Sequence, residues 1–98
     1  MSLAIRGATG RSERIHAALE SALRPVKIEL IDEGHLHVGH AGARDGRGHF
    51  RVILVSERFA GLGPLQRHRL VYQALADLME TDIHALSIRA LTEAEERA

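Results

Sequence analysis

Seven histidines and no cysteine among 98 residues put imidazole at the centre of whatever chemistry this chain performs. His35, His37, His40 and His49 fall within one glycine-rich stretch, GHLHVGHAGARDGRGHF, and His68 and His84 follow later. Neutral imidazole is the commonest nitrogen ligand for metals, and its charge changes nearest neutral pH, so the cluster points to metal binding or proton chemistry. With no thiolate in the chain, a soft-metal site must take its sulfur from another molecule. A second candidate is the basic triplet Arg67-His68-Arg69, where helix-start amides beside two guanidinium groups suit a phosphate or a partner carboxylate. Ser56 and Asp32 can be assembled with a histidine into a nominal triad, but no nucleophile elbow surrounds the serine, and no enzyme activity is expected.

The elements that must position these groups are legible in outline. Ser12 reads as an N-cap, and Ile15, Ala18, Leu19, Ala22 and Leu23 recur at helical spacing until Pro25, predicting a helix over 12–24. Val26, Ile28 and Leu30 alternate with Lys27 and Glu29, the period of a half-buried strand. Residues 34–48 hold five glycines and no apolar periodicity, and a loop of roughly 15 residues in a small domain is usually functional or disordered. Phe50, Val52 and Leu54 alternate with Arg51, Ile53 and Val55 in a second strand, apolar on one face and mostly apolar on the other and so expected at the centre of the sheet. A helical turn over 56–60 follows, then Pro64 at the first position of a helix expected to run to Met79, with His68, Val71, Tyr72, Leu75, Leu78 and Met79 on its buried stripe. Leu86, Ile88 and Ala90 mark a third strand with which His84 is in phase, and Thr92 with Glu95 is a capping-box signature.

This order, α-β-β-α-α-β-α, predicts an α+β domain with a three-stranded mixed sheet and helices on one side: the first two strands antiparallel, the third parallel through a helical crossover. Residues 12–98 are expected to be one domain, with 1–11 a frayed leader. Thirteen basic residues balance thirteen acidic ones, so no overall field favours a nucleic-acid backbone and such binding needs a local patch. No apolar run approaches the roughly 18 residues of a membrane span. The absence of cysteine fits an intracellular, cytoplasmic protein.

The blocks SERFAGLGPLQRHRLVYQALADLM and IHALSIRALT, with IELIDEGHLHVGH and GHFRVILVS, closely resemble the BolA family over about residues 12–95. The resemblance implies a fold akin to the type II KH domain, and two roles: partnership with monothiol glutaredoxins in iron–sulfur cluster trafficking, and DNA-binding transcriptional regulation. It implies that His84, in the IHAL block, is one ligand of a shared [2Fe–2S] cluster. The second ligand is expected from the loop, with His37 best placed and His40 or His35 as substitutes. A glutaredoxin cysteine and glutathione would bring the sulfur, since imidazole can replace thiolate on one iron. Arg67 and Arg69 are the expected DNA or partner contacts. Nucleic-acid-binding KH domains clamp the backbone with a GxxG loop. At that junction this chain has Gly61-Leu62-Gly63-Pro64, which departs from the pattern. His49 is expected to organise local contacts, His68 to be structural and His16 silent. The free chain is expected to be a monomer or weak homodimer.

Overall fold

The computed structural model describes residues 10–33 and 48–98. The element order is α1 (Arg11–Leu23), β1 (Lys27–Asp32), β2 (Gly48–Val55), a 3-10 turn (Glu57–Phe59), α2 (Pro64–Leu75), α3 (Leu78–Thr81), β3 (Ile83–Leu91) and α4 (Glu93–Arg97). The loop expected over 34–48 and the leader expected over 1–11 fall largely outside the described residues. At its described end the leader gives way one residue early, because α1 starts at Arg11 with Gly10, not Ser12, as its N-cap. The helix closes at Arg24, which takes the left-handed conformation (φ 44°, ψ 56°) and donates its N–H to the Glu20 carbonyl at 3.1 Å.

The sheet is the expected three-stranded mixed one, in order β1-β2-β3. β1 runs antiparallel to β2, with Leu30 opposite Val52, and β3 runs parallel to β2, with Val52 opposite Ile88. Two-residue alternation sorts the side chains by face. Phe50, Val52 and Leu54 are buried on one face of β2, flanked by Ile28 and Leu30 of β1 and by Leu86, Ile88 and Ala90 of β3. Ile15, Leu19 and Leu23, at helical spacing along α1, and Val71 and Leu75 of α2 close the core over that face. The opposite face carries Glu29, Arg51 and Arg89, all exposed.

The long helix expected to reach Met79 is broken. α2 stops at Leu75, and Ala76 adopts φ 45° and ψ −118° before α3 begins. The break turns Leu78 and Met79 onto the core and aims the chain at the start of β3. Tyr72 was expected on the buried stripe but is 42% exposed: Val71 and Leu75, one helical turn apart, form the buried line, and Tyr72 lies about 100° round the helix from Val71. The 3-10 turn and the capping box form as anticipated. Ser56 caps the turn, accepting from Arg58 N at 3.1 Å, and Thr92 and Glu95 cap α4 reciprocally, with Glu95 Oε1 accepting from Thr92 N at 2.9 Å.

Candidate functional site

The two strands that meet at one end of the sheet bring two histidines together. Register along β2 and β3 is regular from His49–Ala85 to Val55–Leu91 but shifts at the first step, where Gly48 pairs with Ile83. His84 is therefore an extra residue on β3, a β-bulge. Strict alternation would place His84 with Leu86 and Ile88 on the core face, as its phase suggested. Instead Ile83 is buried and Leu86 packs on the core, and the two residues between them, His84 and Ala85, are both exposed. The bulge delivers His84 out of the core and alongside His49. The ring centroids stand 5.0 Å apart with the planes tilted by 47°. His49 is half-buried, and its Nε2 is enclosed.

Gly48 lets these elements converge. A Cβ there would lie 2.6 Å from Phe50 Cε2, in a ring that is itself buried, and 3.4 Å from Arg11 Cδ. Its N–H donates to the Asp82 carbonyl at 2.8 Å, tying the start of β2 to the residue before β3. The Asp82 side chain is also buried, accepting from Thr81 Oγ1 at 2.5 Å, from Arg14, and from Arg11 Nε at 3.4 Å. The hydrogen bond from Thr81 and then that from Arg14 hold its carboxyl below the usual aspartate range. On the other side of the site, Glu33 N donates to the His49 carbonyl at 2.8 Å, and Arg51 Nε meets Glu33 Oε2 at 3.1 Å. The chain thus leaves the sheet at Glu33 and returns at Gly48 directly beside His49 and His84. His35, His37 and His40 belong to the segment between and lie outside the described residues.

Among the described residues no three His, Cys, Asp or Glu side chains are grouped to hold a metal ion. What the described residues bring together is two imidazoles, His49 and His84. Sequence reasoning had given His49 only a local organising role; its nearness to His84 depends on strand register between positions 35 apart, and the one available signal was that each opens its strand block.

The basic triplet resolves differently from expectation. Arg67 is turned inward, its side chain 12% exposed, and four of its five N–H donors go to protein acceptors: Leu62 O at 2.8 Å, Ala90 O at 3.0 Å, and Glu95 Oε1 and Oε2 at 2.6 and 2.9 Å. It also lies over the Phe59 ring, 5.9 Å from its centroid. The guanidinium fork is matched bidentately by a carboxylate, and that geometry makes Arg67 the bolt between α2, β3 and α4. Arg67, with backbone help from Thr92, lowers Glu95 from 4.5 to about 2. Arg69 is exposed, His16 is exposed, and His68 is half-buried, lining a cleft of about 270 Å³ with Leu62, Pro64 and Glu95. The nominal triad does not assemble from Ser56, which is buried with its hydroxyl donating to Leu23 O at 2.7 Å, where it secures the end of α1.

Comparison with known proteins agrees with this architecture. Residues 19–95 match the family model described as BolA-like protein. BolA-like protein 1 of Homo sapiens is 49% identical over 92 residues, covering 93% of this chain and 65% of its own length. The DNA-binding transcriptional regulator BolA of Escherichia coli is 42% identical over 80 residues, 82% of this chain and 73% of its own. Among solved structures, the BolA domain of SufE1 from Arabidopsis thaliana superposes with a TM-score of 0.76 at 40% identity, covering 88% of this chain and 95% of that one. The chain spans less than two thirds of the human relative, and 24% of the Arabidopsis protein named SufE-like protein 1, chloroplastic/mitochondrial. No described helix is long and apolar enough to cross a membrane.

Proposed function

Because the chain belongs to the BolA family, we propose that it is an adaptor that pairs with a monothiol glutaredoxin and shares with it a glutathione-ligated [2Fe–2S] cluster, for cluster trafficking or iron regulation. The observation that carries this reading is His84, exposed on a bulge at the sheet end where the described chain breaks off at Glu33 and resumes at Gly48, with no group of three metal-ligating side chains among the described residues. A donor set that stops short of a complete site fits a shared group. His84 supplies one imidazole nitrogen from a rigid strand, and His37, with His40 in reserve, supplies the other. The partner's cysteine and glutathione bring the thiolates that this chain lacks. Nitrogen ligation by the two histidines would raise the reduction potential of such a cluster relative to all-thiolate ligation. Protons compete with iron for imidazole, so the pairing weakens as pH falls.

The test mixes the chain with cluster-loaded monothiol glutaredoxin and follows visible absorption and circular dichroism. The wild type changes the cluster spectrum, and His84→Ala and His37→Ala each abolish or strongly reduce the change. An unchanged spectrum with wild type refutes the shared cluster; unchanged behaviour of a variant refutes that ligand. A cytoplasmic setting is part of the proposal, although the name of the SufE-like relative places that protein in chloroplast and mitochondrion.

A second reading, DNA-binding regulation, is favoured by the names of the E. coli and Vibrio cholerae relatives, each a DNA-binding transcriptional regulator. With four of the five N–H donors of Arg67 committed within the protein, the exposed Arg69 is the stronger phosphate contact of the pair. Affinity for duplex DNA then falls with salt, and Arg69→Ala reduces the salt slope by about one. Affinity indifferent to salt and to Arg69 rules this contact out.

A further inference from the structure

We infer that His49 is a positioning residue for His84: it holds the exposed imidazole in one orientation before any partner arrives. The inference rests on the reading of His84 as a ligand and adds to it a residue that does not itself bind.

The bulge solves one problem and creates another. It brings His84 out of the core, where a partner can reach it, but core packing no longer selects one rotamer for it. Three staggered wells about χ1 and a roughly twofold χ2 leave on the order of six arrangements, and a ligand atom is productive in few of them. Ordering the ring at the moment of binding would cost affinity, whereas a ring ordered beforehand does not incur that cost.

His49 has what such a support needs. It sits on β2, the central strand, hydrogen-bonded on both sides, so its backbone is fixed by β1 as well as β3. Its carbonyl accepts from Glu33 N at 2.8 Å. Its ring is half-buried with Nε2 enclosed, so it is itself held in place. The 5.0 Å centroid separation is within the range of about 4.5–7 Å for contacting ring pairs, with the planes tilted by 47°. The bulge is the only register shift between β2 and β3, and it falls at the step that joins these two side chains. Supporting groups of this kind, on rigid strands and one layer behind the ligand, decide whether a site is held closely enough to work.

The experiment has two arms. In the free chain, NMR three-bond couplings about χ1 of His84 report whether one rotamer dominates. The wild type shows one rotamer, His49→Ala shows averaged couplings with the dispersed amide spectrum retained, and His49→Phe, which keeps a ring without nitrogens, restores the single rotamer. If His49→Ala does not fold, His49→Gln, polar but ringless, is compared with His49→Phe in the same way. In the second arm, titration with cluster-loaded glutaredoxin shows affinity lowered up to about sixfold in the ringless variant, with an altered cluster circular dichroism, and both recovered in His49→Phe. Averaged couplings in the wild type, or a single rotamer that survives loss of the His49 ring, overturn the inference. If the couplings behave as expected while wild type leaves the glutaredoxin spectrum unchanged, the cluster reading fails and the positioning stands.

Discussion

One residue, Asp82, joins three elements. Its carboxylate receives the first-turn arginines of α1 and the hydroxyl of Thr81 at the end of α3, and its main-chain carbonyl accepts the first N–H of β2. Its side chain is 10% exposed, so protonating or removing the charge leaves hydrogen bonds that solvent replaces poorly. A carboxyl whose folded pKa lies below its unfolded value stabilises the fold fully above that unfolded value and progressively less as pH falls through the folded one. Asp82 and Glu95 are both lowered, and for Glu95 the window runs from 4.5 to about 2. Stability measured by urea titration is therefore expected to be level above about pH 5 and to decline below it. Asp82→Asn lowers stability at pH 7 by about 1–3 kcal/mol and flattens the acid limb; an acid limb that keeps its slope in the variant excludes Asp82 as a source. None of these pairings was visible in the sequence, because each charge finds its partner far along the chain: Arg14 and Asp82 are 68 positions apart, Arg67 and Glu95 28. For the same reason Arg67 read as a surface cation, whereas His84 was legible as a ligand candidate through its motif alone.

Elements were easier to read than their interruptions. The strands announced themselves by alternation, the start of α2 by Pro64, and α4 by its capping box, all local signals that the structure uses. Both interruptions lack a local signal. The bulge at His84 follows from pairing with residues 35 and 36 positions upstream, and the kink at Ala76 occurs in a stretch with neither glycine nor proline. What sets the kink is the need to turn Leu78 and Met79 onto the core and deliver Ile83 into the sheet, a tertiary demand that overrides helix propensity. Alanine at φ 45° and ψ −118° is strained, because its Cβ crowds the backbone there. Ala76→Gly is expected to raise stability by about 0.5–1 kcal/mol, seen as a melting temperature higher by several degrees. A lower melting temperature would show that the residue is not strained in solution.

At the scale of the molecule, the expected α+β architecture was recoverable because helix, strand and turn signals occur in an order that few topologies satisfy, and a parallel pair demands a crossover. The site was recoverable only in part, since its two described histidines come from different strands and meet through register. That arrangement has a kinetic consequence. β1 and β2 are neighbours in sequence, but β3 can join β2 only after residues 56–82 have been folded back over the core, and closing that long excursion is the entropically costly event in assembling the sheet. His49 lies on one side of the closure and His84 on the other. Urea titration should therefore show the His49–His84 ring contact, followed by NMR, vanishing at the same midpoint as the helical circular dichroism, and a contact that outlasts the helices would contradict this. A nascent chain that has made only its first two strands holds one ring of the pair, so the His49–His84 contact forms only when the fold is complete and serves as a built-in report that the crossover has closed.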